Sequence, residues 1–350
     1  MTLLRTQRIA RTILMFAVCA ASALISSCDS MIYDDQGDCT VHYRVPFTYT
    51  HNILSADAFV SQVSAVTLYV FDSKGNLVLQ KSDSGTTLAA GGYRMDVDLP
   101  AGIYDMIAWC TGTSPMPDPT AFKIGGGDTP ASPSQLTATL PLKGETGDKY
   151  VNQDITPLFH GMIQGVECKE SDYGYIDLPA IDLMKDTNVI KVILNNIDGT
   201  ELNPDDFKME ITGTNSEMDY ENNLVGDAPF SYLPWSISRL VTDKEENRAP
   251  VASGMMAELS MGRLMTDRQP RLKVTRCEDK TEIINLNLIQ FFLLVKGHYQ
   301  AHWSNQEYLD RLDEYSLTFF IDKDKNWYTA AGININSWHV VPPQEEDWSR

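Results

Sequence analysis

The residue with the clearest chemistry in this 350-residue chain is a thiol flanked by small side chains. Cys28 follows Ile25-Ser26-Ser27, which closes an almost wholly apolar run from Ile13 to Ile25, and Arg5, Arg8 and Arg11 precede that run. A signal peptidase needs small side chains before its cut, and a cysteine just after the cut offers its sulfur for a diacylglycerol thioether. Residues 1–27 therefore read as a bacterial lipoprotein signal peptide, and Cys28 as the lipidation site. The alternatives fit less well. An apolar run of 13 residues falls short of the roughly 20 that cross a bilayer, and Ile-Ser-Ser differs from the A-x-A ending of an ordinary secretory signal. One acyl chain gives marginal attachment, whereas the three of a mature bacterial lipoprotein anchor stably.

Other constellations fail on spacing. His298 and His302 are four apart, but Tyr299 stands where H-E-x-x-H needs glutamate and no third ligand is evident. Asp322-Lys-Asp324-Lys-Asn326 imitates the start of a calcium loop, yet Trp327 occupies the position that requires glycine and no bidentate glutamate follows; a charged hairpin turn is the better reading. Gly125-Gly-Gly127 lacks the Lys-Ser/Thr of a phosphate loop, and no G-x-S-x-G elbow exists. Carboxylates are too numerous in so acidic a chain for any pair to stand out. The expectation is a protein that is not an enzyme, with no metal and no cofactor.

Removing residues 1–27 leaves 323 residues with 25 basic and 47 acidic side chains, a net charge near −22. A body this acidic does not bind nucleic acid nonspecifically, and its length suits two domains of ordinary size. Beyond Cys19 in the signal and Cys28, four cysteines remain: Cys39, Cys110, Cys168 and Cys277. They show no C-x-x-C spacing, which disfavours zinc. In an exported protein they allow up to two disulfides. A Cys39–Cys110 bridge is the first choice, with free buried thiols as the alternative, since connectivity is not readable from sequence.

The elements that carry these residues are mostly strands. Residues 28–38 form a short acidic tether with Asp34, Asp35 and Asp38, and Cys39 to Tyr49 then alternates apolar and polar residues. Ser55 to Val63 predicts a short helix capped by Ser55. Ser64 to Phe71, the turn Asp72-Ser-Lys-Gly-Asn and Leu77-Val-Leu predict a hairpin. Two strands flank Pro100-Ala-Gly102, with Tyr104 re-entering the core, and residues 111–135 predict a long surface loop. Strands are expected at 136–142 and 154–161, and a boundary near Ser171.

The second half restarts with strands at 175–183 and 188–195, a turn at Asp198-Gly199, and strands at 207–212, 255–261, 271–277 and 283–288. Residues 221–254, with Pro229, Pro234 and Pro250, predict an irregular excursion. Ile289, Phe292, Leu293, Lys296 and Tyr299 keep helical spacing, and Ser304-Asn-Gln-Glu307 is a capping box for a second helix through Arg311. Strands at 315–321, 327–330 and 333–340 precede a Pro342-Pro343 tail. The expected fold is mainly β: an N-terminal sandwich over 39–171, a C-terminal sandwich over 172–341 and a tail over 342–350.

Several of these segments together resemble the FimB-like fimbrial anchor family of the Bacteroidales, whose members are minor subunits of type V fimbriae. They are Cys28-Asp-Ser-Met-Ile-Tyr-Asp-Asp-Gln-Gly-Asp-Cys39, Ser64-Ala-Val-Thr-Leu-Tyr-Val-Phe-Asp72, Leu99 to Cys110 and Pro157-Leu-Phe-His-Gly161. In the second half Lys185 to Val192, Glu314 to Ile321 and Ile333 to Val340 are similar too. The resemblance covers nearly the whole mature chain. It implies two transthyretin-like antiparallel β-sandwich domains, an outer-membrane anchor through lipid on Cys28, and a place at the base of the fimbrium. There such proteins hold the rod subunit to the cell, limit rod length and join a neighbour by strand exchange. The tail, following two prolines that cannot donate ladder hydrogen bonds, is expected to be a poor inserted strand, so the chain should accept a strand rather than give one. A different class of function is a surface glycan-binding lipoprotein, in which Trp303, Trp327 and Trp348 could supply stacking platforms.

Overall fold

The computed structural model describes residues 41–89, 91–127, 129–169, 174–241 and 253–340. The chain divides into a small unit, 1–42 with 170–176, and a large one, 43–169 with 177–350. In the small unit the described residues are few; the rings of His42 and Tyr175 lie 5.3 Å apart. All that follows concerns the large unit, with β1 and β10 reaching into it from the small one.

The first part of the chain forms β1 (Val41–His51), α1 (Phe59–Gln62), β2 (Ala65–Asp72), β3 (Leu77–Ser84), β4 (Arg94–Val97) and β5 (Gly102–Thr111). Two-residue strands follow at β6 (Lys123–Ile124), β7 (Ala138–Thr139) and β8 (Tyr150–Val151), then β9 (Leu158–Cys168), β10 (Gly174–Asp177) and β11 (Ile181–Lys185). The order β11-β9-β5-β2-β3 makes one sheet. β1 switches partners at a proline: Tyr43 to Pro46 pair antiparallel with β4, and Phe47 onward pairs parallel with β11. Because Pro46 has no N–H, it is a natural place for a strand to leave one ladder and enter another.

The predicted hairpin is present. Asp72 Oδ1 accepts from the N–H of Lys74 and of Asn76 at 2.8 and 2.9 Å, and Gly75 takes φ +80°. Tyr104 is buried and its hydroxyl donates to Pro100 O at 2.9 Å. Strands β4 and β5 around this turn do not pair with each other, since β4 belongs to β1. The run in β2 is continuously apolar because both of its faces are covered. Leu68 and Val70 are fully buried on one side, while Tyr69 and Phe71 on the other join a core with Phe122, Leu136 and Leu140.

Several local expectations change. The helix after β1 is one turn, Phe59–Gln62, and Ser55 does not cap it. Ser55 sits at φ 52°, and Asp57 Oδ1 instead accepts from Phe59 N–H at 3.0 Å and Tyr49 N–H at 2.9 Å. Residues 111–135 are not wholly a surface loop: β6 pairs with β7, Thr120 bridges Ile155, and Phe122 is buried. The strand expected at 154–161 starts later, at Leu158, and runs on to Cys168.

Gly161 in β9 is required by close packing. A Cβ there would meet Ile181 Cγ2 at 2.5 Å and Leu183 Cδ2 at 2.9 Å, both on β11. Gly161→Ala should therefore push β11 off β9 and cost about 1 to 3 kcal/mol. An unchanged denaturant midpoint would contradict this.

The second part contains β12 (Thr187–Asn196), β13 (Phe207–Gly213), β14 (Glu217–Met218), β15 (Phe230–Tyr232), β16 (Ser236–Leu240) and β17 (Gly254–Gly262). It continues with β18 (Arg271–Arg276), β19 (Thr281–Asn287), α2 (Leu288–Leu294), α3 (Asn305–Arg311), β20 (Glu314–Ile321), β21 (Ile333–Ile335) and β22 (Trp338–Val340). Two sheets, β16-β17-β12-β20-β21-β22 and β19-β18-β13-β15-β8, share a core. Its residues alternate along each strand: Ile190, Val192 and Leu194 on β12, Met255, Ala257, Leu259 and Met261 on β17, Leu272 and Val274 on β18. The fold is mainly β, as the sequence predicts.

The capping box holds: Ser304 Oγ accepts Glu307 N–H at 3.0 Å at the start of α3. So does the charged turn, in which Asp322 Oδ1 accepts from the N–H of Asp324 and of Asn326, both at 2.9 Å. The excursion at 221–254 contains two strands, β15 and β16. The strand expected at 327–330 is a bridge from Trp327 to Ile321 followed by a 3-10 turn at Thr329–Ala331. α2 stops at Leu294, so Lys296 and Tyr299 lie outside it. No helix among the described residues is long and apolar enough to cross a membrane.

Candidate functional site

Cys28, Cys39 and the tail from residue 341, with Trp348, lie outside the described residues. Cys110 is buried on β5 as a free thiol, its pKa pushed up by burial, and Cys168 at the end of β9 is buried as well. His298 lies in a 3-10 turn, His298–Gln300, and not in a helix with His302. Among the described residues no three His, Cys, Asp or Glu side chains gather as a metal cluster would require.

What sequence reasoning missed is a buried polar seam joining chain from before residue 171 to chain after it. Asp154 is 6 % exposed and accepts from two serines, Ser260 on β17 at 2.5 Å and Ser114 at 2.6 Å. His160 on β9 bonds through Nε2 to Tyr220 O at 2.9 Å. Burial, helped by the nearby Arg263 charge, takes its pKa down to about 4. A neutral imidazole therefore fills this place at neutral pH. Asp186, fully buried between β11 and β12, accepts from Asn222 Nδ2 at 2.8 Å.

Arg263 completes the seam. It holds Asp310 of α3 through Nε and Nη2 at 2.9 and 3.0 Å, and its Nη1 donates to Asn222 O. Burial works against the Arg263 charge, but hydrogen bonding to Asp310 with the charges of Asp186 and Asp310 outweighs it, and the pKa moves up. Such a two-pronged guanidinium–carboxylate pair fixes both partners in orientation as well as distance.

Asp186 has a different balance. Its pKa is pushed up to about 7 by burial, against the opposing pull of Arg263 and Asn222. A carboxyl raised in the folded state above its unfolded value near 3.8 stabilises fully below that value. The contribution fades as pH rises through the folded value. Asp186→Asn should therefore flatten the fall in stability between about pH 4 and 7. Thermal unfolding at several pH values checks this, and an unchanged profile would contradict it.

β1, the strand that follows the tether, is locked at its far end. Thr50 N–H and Oγ1 donate to Asp182 at 2.8 and 2.7 Å, and Arg311 Nη1 donates to Thr50 O and Asn52 O, both at 3.3 Å. The outermost strands of the sheets, among the described residues, include β3, β16, β19 and β22. Charge guards β3, where Lys81 reaches Asp96 O. β16 shows Ile237 at 51 % exposure. Such a strand offers backbone groups to a further strand.

The tryptophans singled out as platforms are packed. Trp303 lies partly buried against the core with the Arg311 guanidinium 4.8 Å from its ring, and Trp327 meets Phe319 edge-on. The exposed tryptophan is Trp338, at 60 %.

An all-β body with a rigid internal seam, a leading strand clamped at both ends and unguarded sheet edges defines a structural protein. The sequence matches a family model over residues 36–341, and the chain belongs to that family, Mfa2, the fimbrillin-A associated anchor proteins Mfa1 and Mfa2. Among solved structures, a candidate adhesin from Bacteroides thetaiotaomicron is 30 % identical, with TM-score 0.72 over 88 % of this chain and 99 % of that one. A candidate polysaccharide-binding protein from the same organism is 26 % identical, with TM-score 0.72 over 88 % and 100 %. The fimbrial anchor protein Mfa2 from Porphyromonas gingivalis shares the fold at 18 % identity, with TM-score 0.60 over 87 % and 99 %. No curated protein matches the sequence.

Proposed function

We propose that the protein is the lipid-anchored base of a fimbrium, a structural and non-catalytic part that holds the rod subunit to the outer membrane and limits rod length. The observation that carries this reading is membership of an anchor family across residues 36–341. The geometry supports it. A pull on lipid at Cys28 reaches the body through β1, whose ladders with β4 and β11 run along the strand, so many hydrogen bonds must break together under shear. The seam then passes the load to the second part of the chain.

The two-domain division at residue 171 belongs to this proposal, with β11 completing the first sheet from beyond the boundary. So does strand exchange, with β16 as the accepting edge. On this reading Ile237→Lys, which adds a charge to that edge, detaches rods while the protein stays in the membrane. Deleting residues 344–350 leaves attachment nearly normal. Immunoblots of cells and medium check both; detached rods in the tail deletion at normal protein level would reverse the direction.

A further inference from the structure

One pocket stands apart from the seam and the edges. It encloses about 330 Å³ between the segment after α2 and the β21–β22 turn, and Tyr299, Trp338, His298, Gln300 and Asn336 line it above Tyr308. In a chain with net charge −19, none of its lining residues is an acid, a lysine or an arginine. Tyr299 is 89 % exposed and Trp338 60 % exposed, so two large aromatic surfaces are left in water.

These side chains are held in place. Asn336 takes φ 52° in the turn that pairs Ile335 with Trp338. It is clamped to β20: its N–H donates to Ser316 O at 2.7 Å and its Oδ1 accepts Ser316 N–H at 2.8 Å. The side-chain NH₂ of Asn336 keeps no partner among the described residues. Gly297 leads into the 3-10 turn that carries His298, Tyr299 and Gln300.

A pyranose ring has a C–H face that packs on an aromatic ring and a rim of hydroxyls that both donate and accept. Aromatic surfaces beside amides and an imidazole match that pattern, and a pocket of this volume falls in the range of small-molecule sites. Without a lysine or arginine it offers nothing to a phosphate or a carboxylate. The same absence argues against the chain's own tail as occupant, since Glu345, Glu346 and Asp347 would find no cation there.

We propose that this pocket binds a neutral hexose or N-acetylhexosamine unit of a glycan, with Trp338 and Tyr299 against its C–H face and Asn336, Gln300 and His298 on its hydroxyls. The site is independent of the anchor role. It differs from a platform built on Trp303, Trp327 or Trp348.

The test uses the full mature chain on an array of neutral hexose and N-acetylhexosamine oligosaccharides beside sialylated and sulfated ones, followed by calorimetric titration. At least one neutral glycan should bind. Trp338→Ala and Tyr299→Ala should each weaken it about tenfold, the loss of one aromatic contact. Asn336→Asp, which keeps the acceptor for Ser316, should weaken it severalfold with the melting temperature unchanged. The proposal is overturned if no neutral glycan binds or only acidic ones do. Affinity that survives the double aromatic variant also overturns it, as does binding that appears only once residues 344–350 are deleted, which would make the tail the occupant.

Discussion

Cys28→Ala should abolish incorporation of labelled palmitate and move the protein from the membrane fraction to a soluble or unprocessed form. The expectation rests on the sequence around the cut: three arginines, an apolar run of 13 residues and Ser26-Ser27 before the thiol. Each buried methylene of an acyl chain contributes about 0.8 kcal/mol, so losing every chain removes far more binding than a polar tether could replace. Among the described residues no helix offers a second means of attachment. Serine in place of alanine should behave alike, because a hydroxyl does not form the thioether. Palmitate still found on the alanine variant would sink the assignment.

Removing one partner of the Arg263–Asp310 pair should be the most damaging single change to stability. Side chains of both are about nine-tenths buried, at 11 % and 8 % exposure. Arg263→Met would leave the Asp310 carboxylate without its cation and Asn222 O without its donor. Breaking such a pair costs about 3 to 5 kcal/mol, which in a protein of this size lowers the melting temperature by roughly 10 °C. The double variant Arg263→Met with Asp310→Leu should recover much of the loss, because two apolar groups leave no stranded charge. Calorimetry of both variants checks this. A single variant as stable as the parent, or a double variant worse than the single, would contradict the account of the seam.

Much of the fold was legible where the signal is local. The Asp72 turn, the Tyr104 return to the core, the Ser304 cap and the Asp322 turn each depend on residues within a few positions, and each is found. Family membership was legible too, because many segments contribute to it at once.

What escaped depends on distant partners. Asp57 replaces Ser55 as the cap because its carboxylate also serves Tyr49 N–H across the chain. β15 and β16 are short and flanked by prolines, and their strand character comes from pairing with β13 and β17. The seam was invisible for a stronger reason. Asp186, Asp310 and Asp154 look like any of the 47 acids in the sequence. Only burial and the approach of Arg263, Asn222 and Ser260 set them apart. Trp338 was passed over for Trp303 and Trp327 because exposure of a ring is decided by the tertiary fold.

The central claim is that this protein ties a fimbrial rod to the cell. The most direct measurement is the fate of the rods in a strain that lacks the gene, followed by immunoblot of cells and medium and by electron microscopy of rod length. The account predicts rods shed into the medium or grown longer on the cell, restored by the wild-type gene and not by the Cys28→Ala form. Rods of normal length that remain attached to the deletion strain would contradict it.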